Sequence, residues 1–460
     1  MPNQTKRPQP PQPHCRRIPS VWMRSGTSKG LFLRRDDLPA DEADWAPIIL
    51  AAFGSLDGDA RQLNGVGGGT STTSKCAVVS RSSRPGVDVD YTFIQVPLEG
   101  GRLDFSGNCG NIASGVGPFA VDEGMVDFLL NDNDLEGKSD GKKGPRRRRV
   151  DVRVYNTNTG RLLVESVAVD EQGRFDPSGA CQIGGFKGHG SRIDLSFVEP
   201  AGSMTGALFP SRGRRAQELL VDFGLRVVSG VVTPVTPVRV SLVDAANPFI
   251  LVDAVSLPQS VLALPRDSAE SLAAVEAVRR AGAVAFGLAS STQEAAAVRG
   301  TPKIMLLWPP PPSAGNTGSV TIKARAYSMG KVHPSLQLTG AVCLAAALCV
   351  PGTVPAQLSG RCAPGAAEGE GYELPPSPPA SSGSSDSSHE EEEDSTLGQQ
   401  QQQKLVGFGC ERRVVIEHSS GLIDACVMTR YEDGGEVGIE YVKVARTARR
   451  LFEGNVVVDF

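Results

Sequence analysis

The chain reads as an α+β fold built from two similar halves. Two observations carry that reading. In each half, strands lead into a polar, glycine-containing loop and then into a segment that is apolar on nearly every side, 111–123 in the first and 336–348 in the second. A helix without a polar face belongs inside a sheet rather than on a surface. The two halves share no identity when aligned, so the repeat is one of pattern.

The elements follow in order. Residues 1–17, rich in Pro and Gln, read as a disordered extension. The first domain spans 18–189. It opens with two short strands, 17–24 and 30–34, around the turn Ser25-Gly26-Thr27-Ser28-Lys29. Residues 41–53 predict a helix that Asp41 caps, with Trp45, Ile48, Ile49 and Ala52 on one face. Strands at 76–79 and 88–98 follow. The apolar helix 111–123 contains Gly115, Gly117 and Pro118, so it must be kinked or short. The basic segment 138–149 reads as a solvated insertion before a hairpin of 152–155 and 162–169.

The second domain begins at 190, with a strand at 193–197 and others at 238–243 and 249–252. Residues 269–281 form an amphipathic helix that Gly282 is placed to end. Strands at 304–307 and 320–327 lead to the helix 336–348, stopped by Pro351-Gly352. Residues 355–404, rich in Pro and Ser, then Glu, then Gln, read as a disordered insertion. The stretch 405–460 supplies the rest of the second domain and the closing strands.

Composition narrows the function. At 460 residues there is ample chain for two domains, and a net charge of −4 provides no basic field to draw nucleic acid. The nine cysteines are odd in number and show no metal-ligand spacing, so they read as reduced thiols and no metal is expected. No apolar run approaches the roughly 20 residues that cross a bilayer. The first residues contain no secretory apolar core and do not suit a transit helix, so the cytoplasm is expected over mitochondria.

Two segments carry the chemistry: Gly67-Gly68-Gly69-Thr70-Ser71-Thr72-Thr73-Ser74-Lys75 and Gly107-Asn108-Cys109-Gly110-Asn111. Each is a loop of small residues that delivers one proton-transferring side chain, Lys75 or Cys109. The first is no P-loop, because Ser74 stands where that motif needs Gly. The second runs into a helix, whose positive end favours a thiolate and whose free N–H groups suit a carboxylate. An amine, a thiol and an anion-binding loop together point to proton abstraction beside a carboxylate. Arg24 and Lys29 are candidates to pair with carboxylates, and Thr27 and Ser28 to add hydrogen bonds. Lys331 and His333 precede the second helix. Asp57, Arg61 and Gln62 are placed to order the glycine-rich loop.

The strings Met23-Arg24-Ser25-Gly26-Thr27-Ser28-Lys29-Gly30, 67–75, Asn108-Cys109-Gly110-Asn111, Leu338-Thr339-Gly340-Ala341-Val342-Cys343 and Arg446-Thr447-Ala448-Arg449-Arg450-Leu451 resemble the PrpF family. That family includes isomerases of aconitate, methylaconitate, methylitaconate and oxalomesaconate. The resemblance implies a diaminopimelate epimerase-like fold: two like domains, each a β-sheet curled around a central helix, with the active site in the cleft between them. It implies a cofactor-independent isomerase in which Lys75 and Cys109 act as acid and base on an unsaturated di- or tricarboxylic acid. Gly69, Thr70, Ser71, Ser74, Asn108, Gly110, Asn111, Met329, Lys331, Thr339 and Gly340 join Arg24, Thr27, Ser28 and Lys29 as expected substrate-binding residues. The expected partner is that small acid, with a homodimer left open and no nucleic acid or membrane. Two other readings stand beside it. One is an amino-acid epimerase, disfavoured because the second helix starts without a cysteine. The other is a non-catalytic accessory of an aconitase-type iron–sulfur enzyme.

Overall fold

The computed structural model describes residues 15–128, 135–136, 147–224, 235–311, 320–360, 409–431 and 436–459. Within the first half, β1 (Cys15–Ser25) and β2 (Ser28–Arg34) form a hairpin whose turn holds Gly26 at φ +55°. Asp41 accepts the Ala43 N–H at 3.0 Å and caps a short 3-10 turn that leads into α1 (Trp45–Phe53). β3 (Lys75–Arg81) and β4 (Val89–Gln95) precede the central helix, which is broken into α2 (Gly110–Ala113) and α3 (Val116–Asp122). β5 (Leu135–Glu136), β6 (Arg147–Asn156), β7 (Arg161–Val169) and β8 (Ile193–Val198) complete that half.

The second half contains β9 (Gln217–Val221), β10 (Thr236–Ala245) and β11 (Asn247–Asp253), then α4 (Gln259–Leu262), α5 (Ala269–Phe286) and α6 (Thr292–Ala297). β12 (Lys303–Trp308), β13 (Ile322–Ser328) and β14 (Lys331–Val332) lead to the second central helix, α7 (Leu338–Leu348), and to α8 (Val354–Leu358). β15 (Cys410–His418), β16 (Gly421–Tyr431) and β17 (Val437–Arg446) follow, and β18 (Ala448–Asp459) ends the described chain.

Strand polarity makes the internal repeat explicit. In the first half β1–β2 is antiparallel, β2–β3 parallel, β3–β4 antiparallel, β4–β6 parallel, and β6–β7 and β7–β8 antiparallel. The second half repeats that series as β10–β11, β11–β12, β12–β13, β13–β15, β15–β16 and β16–β17. A parallel pair needs a crossover, and helices fill it. The first crossover carries α1 in one half and α5 in the other; the second carries α2 and α3 or α7 and α8. β18 flanks β1 as β9 flanks β10, and the halves are zipped together where β8 pairs with β17. The strand from Ile193, read as the first of the second half, therefore pairs with β7 and closes the first sheet.

Both central helices share one apolar core enclosed by the strands of the two halves, with Ile112, Val116 and Phe119 from one and Ala341, Val342 and Leu344 from the other. α1 and α5 pack outside, over separate clusters. The break between α2 and α3 has a local cause. A Cβ on Gly115 would lie 2.1 Å from Ser25 Oγ, and Pro118 falls in the first turn of α3, where its missing N–H costs nothing. The buried carboxyl group of Glu165 accepts the free Gly117 N–H at 3.0 Å.

Three expectations are corrected. Gly282 does not end its helix: α5 runs to Phe286 and stops at Gly287, φ +78°. A Cβ at Gly282 would lie 2.2 Å from Ile250 Cδ1, so this glycine lets the helix approach the sheet. Residues 15–17, read as part of the disordered extension, belong to β1, where Arg16 and Arg17 pair with Val458 and Val457 of β18; residues 1–14 lie outside the described residues. The segment from 355 opens with the buried turns of α8, capped by Thr353. Residues 361–408 of the low-complexity stretch, and 137–146 of the basic segment, lie outside the described residues.

Candidate active site

One cavity of about 640 Å³, its mouth included, lies between the tips of α2 and α7. Lys75 and Cys109 both line it. Lys75 opens β3 directly opposite Gln95 on β4. Gln95 Nε2 donates to Ser74 O at 2.8 Å and Ser71 O at 3.3 Å, which turns its Oε1 toward Lys75 Nζ at 2.5 Å. The ammonium also sits 5.1 Å from the Phe93 ring centre. No ion pair to a carboxylate reaches Lys75 among the described residues. Cys109 is the N-cap of α2, extended at φ −117° and ψ 100°, and partly exposed to the cavity. Because α2 is a single turn, the field at the thiol comes mainly from that turn's free N–H groups.

Of the expected binding residues, Ser28, Ser71, Asn108, Gly110, Asn111, Met329 and Thr339 line the cavity. Asn247, first residue of β11, ties the two helix tips together. Its Nδ2 donates to Asn108 O at 2.8 Å and to Thr339 Oγ1 at 3.1 Å, while its Oδ1 accepts the Asn108 N–H at 3.2 Å. Asn111 donates to Thr27 Oγ1 at 3.1 Å and accepts from Arg446 Nε at 3.2 Å. Arg446 is buried among neutral groups, and desolvation lowers its pKa to about 10.

The other expected binding residues stand behind the wall or outside it. Strand alternation turns Ser28 inward and Lys29 to solvent; Lys29 contributes only its N–H, to Thr72 O at 2.9 Å. Arg24 braces the hairpin instead of facing the cavity, donating to Gly26 O and Thr447 O, both at 2.9 Å, with its guanidinium 4.3 Å from the Phe186 ring centre. Thr27 holds Asn111 from behind. Gly69, Thr70 and Ser74 shape the loop: Gln62 Oε1 accepts from Gly69 N at 3.0 Å and Ser74 Oγ at 2.6 Å, while the Thr70 hydroxyl bonds Thr73 at 2.7 Å. Of the three residues read as ordering that loop, Gln62 does so; Arg61 pairs with Asp59 and Asp57 accepts from Asn64. Lys331 is exposed on β14. Gly340 faces Phe249, whose ring a Cβ would meet at 2.9 Å.

The sequence reading passed over four groups. Lys303, first residue of β12, lines the cavity beside Phe249, 5.9 Å from its ring centre. Burial lowers its pKa to about 8; Cys109 and Asp104 act to raise it and Lys75 to lower it. Asp104 lines the same wall. Gln95 fixes Lys75. Gln337, the N-cap of α7, occupies the place that Cys109 occupies on α2. The residue-by-residue register of the internal repeat is the signal that would have found Lys303 and Gln337, and strand pairing is what supplies it. His333 lines the cavity as well; its Nδ1 accepts the Ser335 N–H at 3.2 Å, and burial lowers its pKa to about 4. The buried oxygens Asn108 Oδ1 and Gln337 Oε1 have no hydrogen-bond partner among the described residues.

A family model described as PrpF protein matches residues 15–367. The chain belongs to the PrpF family. It is 33% identical over 454 residues to the 3-methylitaconate isomerase of Eubacterium barkeri, covering 96% of this chain and 97% of that one. It is 32% identical over 356 residues to the 2-methyl-aconitate isomerase of Shewanella oneidensis, covering 74% and 83%. It is 35% identical over 345 residues to the (4E)-oxalomesaconate Delta-isomerase of a Novosphingobium species, covering 74% and 83%. The crystal structure of methylitaconate-delta-isomerase superposes with a TM-score of 0.63 at 31% identity, over 97% of this chain and 96% of that one. This PrpF protein is an isomerase with the expected α+β, diaminopimelate epimerase-like fold. No helix among the described residues is long and apolar enough to cross a membrane.

Proposed function

We propose that the protein moves a double bond within an unsaturated di- or tricarboxylic acid of the aconitate or methylaconitate type, by a 1,3-allylic proton shift that needs no cofactor. The observation that carries this reading is the meeting of Lys75 and Cys109 in one cavity, from different elements of the first half. One of the pair removes a proton from carbon at one end of the allylic system. The electrons spread into the adjacent carboxylate as a dienolate. The other returns a proton at the far carbon, so the double bond migrates with no net change in atoms or electrons. The free N–H groups in the first turn of α7, where Leu338 and Thr339 line the cavity, suit the charge that develops on the carboxylate. The relatives' printed substrates, all unsaturated acids of this kind, support the same class.

An epimerase that uses two opposed thiols is disfavoured, because Gln337 caps α7 and cannot exchange a proton at neutral pH. The remaining cysteine of α7, Cys343, is buried and donates to Val243 O at 3.4 Å. The test is proton NMR in deuterium oxide, with the purified protein alone and trans-aconitate, 2-methylaconitate or methylitaconate. Loss and shift of vinyl and methylene signals with deuterium uptake is the expected result. Exchange only at the α-carbon of an amino acid would replace this reading with the epimerase. Silence toward every acid, with co-purification of a hydratase, would replace it with the accessory role.

A further inference from the structure

We infer that Met329 is a specificity-determining residue: its side chain closes the active-site cavity against a second cavity and so limits the length of branch an acid can carry. The inference rests on the isomerase reading for the identity of the ligand and adds a size limit to it.

Three observations carry it. First, a second cavity of about 310 Å³, its mouth included, lies beside α5. Lys303, Ser328 and Met329 line both cavities, so the partition between them is made of these residues. Second, Met329 sits where the backbone disfavours it. Ser328 pairs with Lys331, which leaves Met329 and Gly330 as the two-residue turn between β13 and β14, at φ +52° and +74°. Such a turn is the place for Asn-Gly, and a methionine there carries strain that glycine would avoid. Strain kept at a cavity wall points to a use for the side chain. Third, the space behind Met329 suits hydrocarbon. Val275, Ile304 and Tyr327 line it and belong to the apolar cluster beneath α5. Two of its charged groups are already answered or open to water: Glu276 binds Arg279 at 2.7 Å, and Arg299 is exposed. A half-buried, flexible thioether is well shaped to seal such a gap. With Met329 in place, an alkyl branch on the acid ends against the thioether. Without it, the branch continues into the second cavity.

The test compares wild type with Met329→Gly, Met329→Ala and Met329→Leu. Calorimetry measures binding of 2-alkylsuccinates, from methyl to hexyl. These saturated acids cannot isomerise, and the two ends of succinate are alike, so the branch is free to point either way. Wild-type affinity should level off or fall as the branch grows. Met329→Gly should instead gain about fourfold per methylene over the longer members, the yield of burying each one. Met329→Ala removes the bulk and keeps the strain, so it should give the same length profile as Met329→Gly. Met329→Leu keeps the bulk and should follow the wild type. Thermal melts add a second readout: relief of the turn should leave Met329→Gly at least as stable as wild type. A wild-type length profile in Met329→Gly and Met329→Ala overturns the inference. So does a lengthened profile in Met329→Leu, because the turn and not the bulk would then be responsible. A fall in Tm for Met329→Gly also overturns it, since the fold rather than the ligand would then need the side chain. A lengthened profile in the small variants, without turnover of any unsaturated acid by the wild type, would keep the partition and sink the isomerase reading alone. Failure of the wild type to bind methylsuccinate or tricarballylate would overturn both.

Discussion

In the first half the central helix starts at Cys109, stops after one turn and restarts at Val116; in the second it starts at Gln337 and runs unbroken for 11 residues. The strands around both helices repeat in order and polarity. What differs is the group each half presents at its helix tip and the groups each hides beneath it. The first half offers a thiol at the tip and a lysine held by Gln95. The second offers a neutral amide and a lysine, Lys303, that no side chain among the described residues holds. A symmetric scaffold therefore carries an asymmetric site, with both proposed proton carriers on one side and a cation facing them.

The largest effect should come from removing those carriers. Cys109→Ala and Lys75→Ala should each lower kcat by about 10²- to 10⁴-fold, the usual contribution of a positioned acid or base, while Tm stays near that of the wild type. Gln337→Ala, the equivalent cut on the other tip, should cost less than about tenfold because an amide carries no proton through the reaction. Steady-state kinetics beside thermal melts checks all three. Equal losses at the two tips would erase the asymmetry.

The next effect is on stability. Gly26 sits at φ +55°, and a Cβ there would lie 2.2 Å from Asn111 Oδ1, the atom that accepts from Arg446. Gly26→Ala should cost about 2–4 kcal/mol from combined strain and overpacking, and lower activity by displacing Asn111. Gly282→Ala on α5 has a normal φ and meets only Ile250, so about 1–3 kcal/mol is expected with activity kept. Urea unfolding and initial rates separate the two.

These contrasts also show why some of the molecule was legible in the sequence and some was not. The hairpin around Gly26, the α1 face from Trp45 to Ala52 and the two apolar helices are local patterns, and local patterns survive without a partner. Gly282 looked like a stop because its neighbour Ile250 is 32 residues away in sequence. Ser28 and Lys29 looked equally able to reach a ligand until pairing with β1 fixed which of them points inward. Lys303 was invisible because its likeness to Lys75 lies in strand order, and the two segments share no motif. β8 and β18 were misassigned or unplaced for the same reason, since their partners β17 and β1 come from far along the chain.

The buried titratable groups extend the contrast into pH. In the second half, burial lowers His333 and His418 to about 4 from an ordinary value of 6.5. As pH falls below 6.5 the unfolded chain takes up protons that the native rings refuse, so stability present above 6.5 is lost on the way to about 4. Each ring is worth at most about 3 kcal/mol across that window. Urea unfolding at pH 7, 6 and 5 should show the decline, and His418→Gln should flatten it in part. A curve unchanged from pH 7 to 5 would mean that the rings stay wet in solution.

The first half should show the opposite sign. Glu165 is buried against Gly117, and desolvation raises its carboxyl well above the ordinary range despite the N–H it accepts. The native state therefore holds this proton after the unfolded chain has released it. Stability from that group is complete below about 4.5 and drains as pH rises toward the native value. Glu165→Gln keeps an acceptor for the Gly117 N–H and cannot ionise, so it should equal wild type near pH 5 and exceed it increasingly by pH 8, with kcat unchanged. A variant that is less stable at pH 8 would show that the charged carboxylate is the native form. The core under the broken helix would then hold an anion, and the free N–H groups of α3 would be its counterweight.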